Sequence, residues 1–441
     1  MIVDQNEKWD RFIAIMKEDV IPATGCTEPI SLAFAAAVAA KRLGQPVERV
    51  EAKVSANLMK NGMGVMVPGT GRTGLYIAAA IGSLGGNPDK GLEVLDDISM
   101  DEIIAAKSMV DAGDVTVSVA EVDNILYAEA VVWHGTHFVK AAIADSHTNL
   151  VCIEEDGVSV LKADGATADS TSEKNAFLQS CTAREIYDFA VQAEYESIRF
   201  IKKAAEINDC LSEEGMTGKY GLSLANVLKE KIAKGFIGDD LQSKVTIATV
   251  AASDARMGGA KLSAMTNSGS GNQGITATEP VCVVARHLGA DEERLVRALT
   301  LSHMMAIYIH SHLPKLSALC AVATAAMGAA AGMAWLLDEN HRFETVSHAL
   351  STMTGDLIGM ACDGAANSCA MKVGTAVTSA FRAVMLALDN IRITGDEGLV
   401  ANGVDESIRN IGKLACIGMR ETDVEILNIM MTKNREEGIL S

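Results

Sequence analysis

The sequence predicts an α+β protein: an N-terminal α/β domain with antiparallel strands, then a larger all-α domain rich in Ala and Gly. Three observations predict it. Strand-like windows crowd between residues 47 and 155. The polar stretch ADGATADSTSEKN, residues 163–175, follows them and reads as a boundary. Beyond it, nearly every window reads as helix. The two domains are set at 1–165 and 176–441. With 49% hydrophobic residues and only 4% aromatic, the chain buries a sizeable core made of Ala, Val, Ile, Leu and Met.

In chain order, residues 6–20 form an amphipathic helix with Trp9, Phe12, Ile13, Ile15 and Met16 near one face. Pro22, Gly25 and Pro29 then make a turn before a buried Ala-rich helix at 30–43. Cys26 stands just before that helix, a place that lowers a thiol pKa and makes thiolate available; the plain alternative is a packed or capping cysteine. Residues 47–58 suggest a strand. Gly69, Gly71 and Gly74 spell G-x-G-x-x-G before the apolar helix LYIAAAIGSLG. A dinucleotide fingerprint fails here, because the preceding VMV is too short, Pro68 interrupts the turn and no run of βαβ units follows. Such a loop at a helix N-terminus can still hold a carboxylate. Residues 92–107 look helical, and VTVSVAEV, LYAEAVVWHG, THFVKAAIA and NLVCIEE read as an antiparallel meander. His147, in the DSHTN turn, is a site candidate, although a solvated turn histidine is the commoner case.

In the second part, Thr182 and Glu185 make a capping box that opens a long helix to about Asn208. Further helices fall near 221–234, 239–256, 278–288, 292–308, 316–337, 344–359, 370–389, 404–417 and 421–433. The loop AMTNSGSGNQGITATEP, 264–280, interrupts them with Gly269, Gly271 and Gly274 again at G-x-G-x-x-G spacing. No strand precedes it; with Asn267, Ser268, Ser270, Asn272 and Gln273 it suits a carboxylate cradle, against a merely structural loop. His310 and His312 lie two apart, wrong for one helix face but possible in an extended turn, and precede Cys320 closely enough to act near it.

The net charge of −19 excludes an electrostatic nucleic-acid binder and docking on anionic membranes. Leu316 to Leu337 carries no charge over 22 residues, a spanning length, but its Ala, Gly, Ser and Thr content favours a buried helix. Nine cysteines, an odd number, with no secretion signal fit a reducing cytoplasm. Cys320, Cys362 and Cys369 punctuate an Ala/Gly/Met-rich stretch, and the last two bracket the turn-forming segment DGAANS. They read as ligands of one iron–sulfur cluster; the alternative is buried, inert cysteines, since no C-x-x-C pair occurs.

PATGCTEP, KNGMGVMVPGTG, TNSGSGNQGITATEPV, HSHLPKLSALC and GMACDGAANSCAMKV together resemble the L-cysteine desulfidase family, related to the iron–sulfur bacterial L-serine dehydratases. The resemblance covers nearly the whole chain. It implies a [4Fe–4S] cluster on Cys320, Cys362 and Cys369, and pyridoxal-free β-elimination of L-cysteine to hydrogen sulfide, ammonia and pyruvate, with L-serine dehydration as the alternative. It also implies that Cys26 lies beside the substrate as a candidate base, with His147 and the histidines of the HSH pair, His310 and His312, as the alternatives. Cys362 and Cys369 stand closer together than the matching pair in the serine dehydratases, which fits the desulfidase branch. Substrate binding is assigned to Asn267, Ser268, Gly269, Asn272, Gln273, Lys60, Asn61, His147, His310 and His312. Rival readings are a pyridoxal-phosphate eliminase with Lys261 or Lys315 as Schiff base, a non-enzymatic amino-acid sensor and a nucleotide-binding oxidoreductase. A homodimer is expected.

Overall fold

The computed structural model describes residues 5–162, 168–314 and 316–436. Helix α1 (Gln5–Asp19) turns Phe12, Ile15 and Met16 inward. Strand β1 (Pro22–Thr24) leads into α2 (Thr27–Leu43), which left-handed Gly44 terminates. Strand β2 (Arg49–Val54) is shorter than the predicted 47–58, because the Ser55 hydroxyl accepts from Leu58 N and starts α3 (Ala56–Gly62). Helix α4 (Leu75–Gly85) follows. The 92–107 window starts too early: Ser99 and Glu102 form a capping box that opens α5 (Met100–Asp111).

Strands β3 (Val115–Val119), β4 (Tyr127–His134), β5 (His137–Ala144), β6 (Leu150–Glu155) and β7 (Val158–Lys162) complete a sheet of order β3-β2-β4-β5-β6-β7. The meander is antiparallel from β4 to β7, but β3 is not its first strand. It pairs parallel with β2 on the outside, after the crossover through α3, α4 and α5. Strand β7 is exposed throughout, so it carries no apolar alternation to read. Helix α2 packs across β4 and β5, burying Ala128, Ala130, Val132 and Val139 with Val50 and Val54 of β2 in one core.

Helix α6 (Ala168–Gln179) occupies most of the expected polar break, whose residues 163–167 lie outside the described residues. The single helix expected from Thr182 to Asn208 is broken. Helix α7 (Ala183–Gln192) has the capping box, but Ala193 and Glu194 are extended before α8 (Tyr195–Ile198), a 3₁₀ turn and α9 (Lys202–Gly215). The Arg297 guanidinium takes the Ala193 carbonyl at 3.0 Å in place of a helical N–H. Then come α10 (Leu224–Ala233), α11 (Leu241–Met257), β8 (Ser263–Met265), α12 (Gly271–Leu288) and α13 (Glu292–His310). The second part is therefore not all-α, because β8 pairs antiparallel with β1, Thr24 opposite Ser263. Helices α14 (Ala321–Leu337), α15 (Phe343–Leu357), α16 (Cys369–Leu388), α17 (Val404–Lys413) and α18 (Arg420–Glu436) finish the chain.

Helix α14 is buried from Val322 to Leu336, wrapped by α12, α13, α15 and α16. Small residues allow this: a Cβ on Gly328 would lie 2.3 Å from the Ser302 carbonyl oxygen of α13. Among the described residues one helix, Cys369–Leu388, is long and apolar enough to cross a membrane, and it packs on α11, α14 and α15. The two chain ends cross over. Phe12 of α1 joins Phe177 and Phe189 in the helical core, while Leu427 and Met431 of α18 pack against the core under the sheet.

Candidate active site

The helix expected at 316–337 starts only at Ala321, because the residues before it are extended against the loop after α15. Cys320 N–H donates to the Met360 carbonyl at 2.9 Å, and Cys362 N–H to the Ala318 carbonyl at 2.7 Å. This short pairing sets Cys320 and Cys362 side by side at the start of α14. Cys369 opens α16. Gly364 (φ +96°) turns the chain between them, and a Cβ there would meet the Lys60 carbonyl oxygen at 2.5 Å. Lys60 is buried; its ammonium donates to the Cys362 carbonyl at 3.2 Å and pairs with Asp423 of α18. Cys26 caps α2 and, with Val65 and Met257, makes a small apolar cluster on which Cys369 packs.

All four cysteines line one cavity of about 100 Å³. None is in a disulfide. Burial pushes the Cys320 thiol up to about 12, with Cys362 and then Cys369 adding to it, and raises Cys369 likewise. The expectation of a lowered Cys26 pKa is overturned. Burial takes that thiol up to about 12, against the pull of the Arg256 guanidinium, and outweighs its place at a helix N-terminus. The raised Cys320 and Cys369 thiols, enclosed beside Cys362, fit a metal group, whose charge favours their thiolate forms. Among the described residues no three His, Cys, Asp or Glu side chains could hold a single metal ion. A cubane makes a different demand, since each of its thiolates binds a separate iron.

The second glycine loop forms the opposite wall. Asn267 and Ser270 exchange both backbone hydrogen bonds, at 3.1 and 3.0 Å, around Ser268 (φ +49°) and Gly269 (φ +83°). A Cβ on Gly269 would lie 2.9 Å from His147 Cε1, so the imidazole rests on the turn. His147 is thus buried, not a solvated turn residue, and lines the cavity with Ser268, Gly269, Asn272, Gln273 and Asn61. The buried Asn61 Oδ1 and Gln273 Oε1 have no hydrogen-bond partner among the described residues. Helix α12 begins at Gly271, not near 278, so Asn272 and Gln273 stand in its first turn.

The remaining candidates divide. His310 ends α13, in helix rather than in an extended turn, and lines the cavity. His312 does not; its ring meets Tyr308 edge-on at 5.4 Å. Lys60 and Asn267 are likewise supports rather than lining. Asn267 Nδ2 donates to His303 Nδ1 at 3.2 Å and to the His303 carbonyl at 3.1 Å. A second cavity of about 310 Å³ shares His147, Ser268, Gly269 and His310 with the first, so these residues form a common wall. No lysine among the described residues lines the cysteine cavity; Lys261 lies against Gly69, and Lys315 is outside the described residues.

Residues 89–428 match the family described as serine dehydratase alpha chain. This chain belongs to the serine dehydratase alpha-chain family. It is 57% identical over 425 residues to a "UPF0597 protein" of Chromobacterium violaceum, spanning 96% of this chain and 98% of that one. It is 54% identical over 427 residues to "UPF0597 protein YE0448" of Yersinia enterocolitica, 96% and 97% of the two chains. Over 433 residues it is 55% identical to "UPF0597 protein YhaM" of Escherichia coli, 98% and 99% of the two chains.

In this serine dehydratase-family chain, three polar residues near the cavity escaped the sequence reading. Glu28, inside TGCTEP, lines it, and burial raises its carboxyl pKa. Arg256, at the end of α11, lines it while only 3% exposed. His303 lies behind the loop. Burial lowers its pKa to about 3, so it is neutral; its Nδ1 accepts from Asn267, which leaves Nε2–H to donate to Thr278 Oγ1 at 3.0 Å. Arg256 shares α11 with Lys244 and Asp254, so its charge alone was no signal, and nothing local marked His303.

Proposed function

We propose that this member of the serine dehydratase alpha-chain family is a cytoplasmic iron–sulfur lyase that removes the β-substituent of a small α-amino acid. The reading takes L-cysteine as substrate, giving hydrogen sulfide, ammonia and pyruvate. The observation that carries it is the meeting of Cys320, Cys362 and Cys369 in one cavity with Ser268, Asn272 and Gln273 of the glycine loop. A second reading, L-serine dehydration to ammonia and pyruvate, is favoured by the family description itself.

Cys320, Cys362 and Cys369 would hold a [4Fe–4S] cluster. With three thiolate ligands, such a group supplies an open iron, a Lewis acid for the substrate's carboxylate or leaving group. The chain does the rest. The first turn of α12 presents backbone N–H groups to an anionic end of the substrate. Asn61 Oδ1 and Gln273 Oε1 offer acceptors to its ammonium. His147 and Gly269 close the wall behind it, and fixing the Cα–H direction this way is a large part of the rate enhancement. Cys26 would take the α-proton as its thiolate, the form that the Arg256 guanidinium favours against burial.

The test is iron, acid-labile sulfide and turnover on one anaerobic preparation. About four iron and four sulfide per chain are expected, with turnover on L-cysteine that dies in air. Cys320→Ala and Cys362→Ala lose both metal and activity. Cys26→Ser keeps the iron and loses at least about 100-fold in rate, the size of one general-base contribution. Active protein without iron would sink the reading. Faster turnover of L-serine than of L-cysteine would move it to the second.

A further inference from the structure

We infer that Arg256 binds the substrate carboxylate, with Asn61 and Gln273 taking the ammonium, so that the site selects free zwitterionic α-amino acids. This rests on the elimination reading for the identity of the ligand, but not for its geometry. Arg256 is buried yet lines the cysteine cavity. Its Nε donates to the Gly25 carbonyl at 3.1 Å and its Nη1 points at Met257 Sδ, 3.5 Å away. Among the described residues it makes no direct ion pair, although Glu28 of the same cavity feels its charge, while a buried guanidinium normally has a direct partner.

Its placement sharpens the point. A Cβ on Gly271 would lie 2.2 Å from Arg256 Nε, so the guanidinium lies directly against the first residue of α12. A helix N-terminus carries partial positive charge. Two positive groups in contact inside the protein repel unless an anion sits between them. The cavity is where that anion fits, because Gln273 of the same helical turn faces it. Asn61 and Gln273, 6% and 3% exposed, each hold a carbonyl oxygen without a partner among the described residues, which matches an N–H₃⁺ group rather than a second anion. A carboxylate at Arg256 and an ammonium at the two amides are the two ends of an unmodified amino acid. A peptide or an amide lacks the first.

The full chain, purified anaerobically, is titrated calorimetrically with L-alanine and L-alaninamide, neither of which has a β leaving group. Iron is measured on each sample. The wild type is expected to prefer L-alanine by about 10- to 100-fold, the range of a bidentate charge-assisted pair. Arg256→Gln should reduce that preference to about threefold or less with iron unchanged, and Arg256→Lys should restore part of it. A preference that survives in Arg256→Gln overturns the inference, as does loss of iron in both variants, which would make Arg256 a support for the cysteines. Should the wild type bind L-alanine through Arg256 yet eliminate neither cysteine nor serine, the anchor stands and the elimination reading falls. A wild type that binds neither probe overturns the anchor.

Discussion

The two glycine loops share one pattern, G-x-G-x-x-G, and have different fates. In the first, Gly69, Gly71 and Gly74 belong to a tight hairpin, in which Val67 N–H donates to the Arg72 carbonyl and Gly74 N–H to that of Val65. It packs on its neighbours: a Cβ on Gly25 would meet the Pro68 ring at 2.5 Å. It does not line the cysteine cavity, so the expectation that it holds a carboxylate there is not met. In the second, Gly269, Gly271 and Gly274 open α12 and clear room for His147, Arg256 and the Met265 carbonyl in turn. The difference teaches that a glycine pattern reports where the backbone must come close to something; only the neighbour says whether that is structure or site.

Alanine at matched positions breaks or sharpens this contrast. The largest effect is expected at Gly274, where a Cβ would stand 1.8 Å from the Met265 carbonyl oxygen, backbone that cannot yield. Gly274→Ala should cost about 4 kcal/mol or more, seen as lost soluble yield and a collapsed unfolding midpoint. Gly71→Ala meets nothing nearer than the Lys107 ammonium at 4.0 Å and suffers only its φ of +67°, roughly 1–2 kcal/mol by denaturant melt. Equal losses would erase the contrast.

Next comes Gly269→Ala, which adds a clash with His147 to a φ of +83°. Its stability should fall by about 2 kcal/mol, while turnover falls about 100-fold through displaced wall groups. Gly69→Ala strains the backbone similarly but presses only on the flexible, exposed Lys261 side chain, so its kcat/KM should stay within about threefold of wild type.

A further effect, spread over several pH units, separates the loops by pH. His303 has its pKa lowered to about 3, against about 6.5 unfolded, so below pH 6.5 the unfolded chain binds a proton that the folded one refuses. The stability from this residue is whole above pH 6.5 and drains as pH falls toward 3, by up to about 1.4 kcal/mol per pH unit. His303→Gln should flatten the unfolding midpoint over that window. An unchanged slope would remove the titrating brace from behind the second loop.

How far the sequence reached follows from range. Meander strands β4 to β6 and the capping box at Thr182 are local, and both were legible. The three-residue strands β1 and β8 are too short for any periodicity to register. The break after α7 depends on Arg297, more than a hundred positions away. Arg256 gains its meaning from Gly25 and Gly271, and His303 from Asn267 and Thr278. Cys26 shows the limit differently. Its helix-cap position was read correctly, but the desolvation that dominates its chemistry comes from side chains the local pattern does not contain.

The pairing of β1 with β8 has a consequence for the order of events in biosynthesis. Thr24 and Ser263, joined side chain to side chain at 3.0 Å, are 239 positions apart. Cys26 therefore gains its neighbours only after the ribosome has made more than half of the chain, and Cys369 comes later still. The site is a high-contact-order feature, slow to close and closed near the end of folding. Until then, thiols destined for one enclosed space are scattered along a nascent polypeptide open to oxygen. On the iron–sulfur reading proposed above, supply of metal and protection from oxidation act after translation, on a scaffold already assembled.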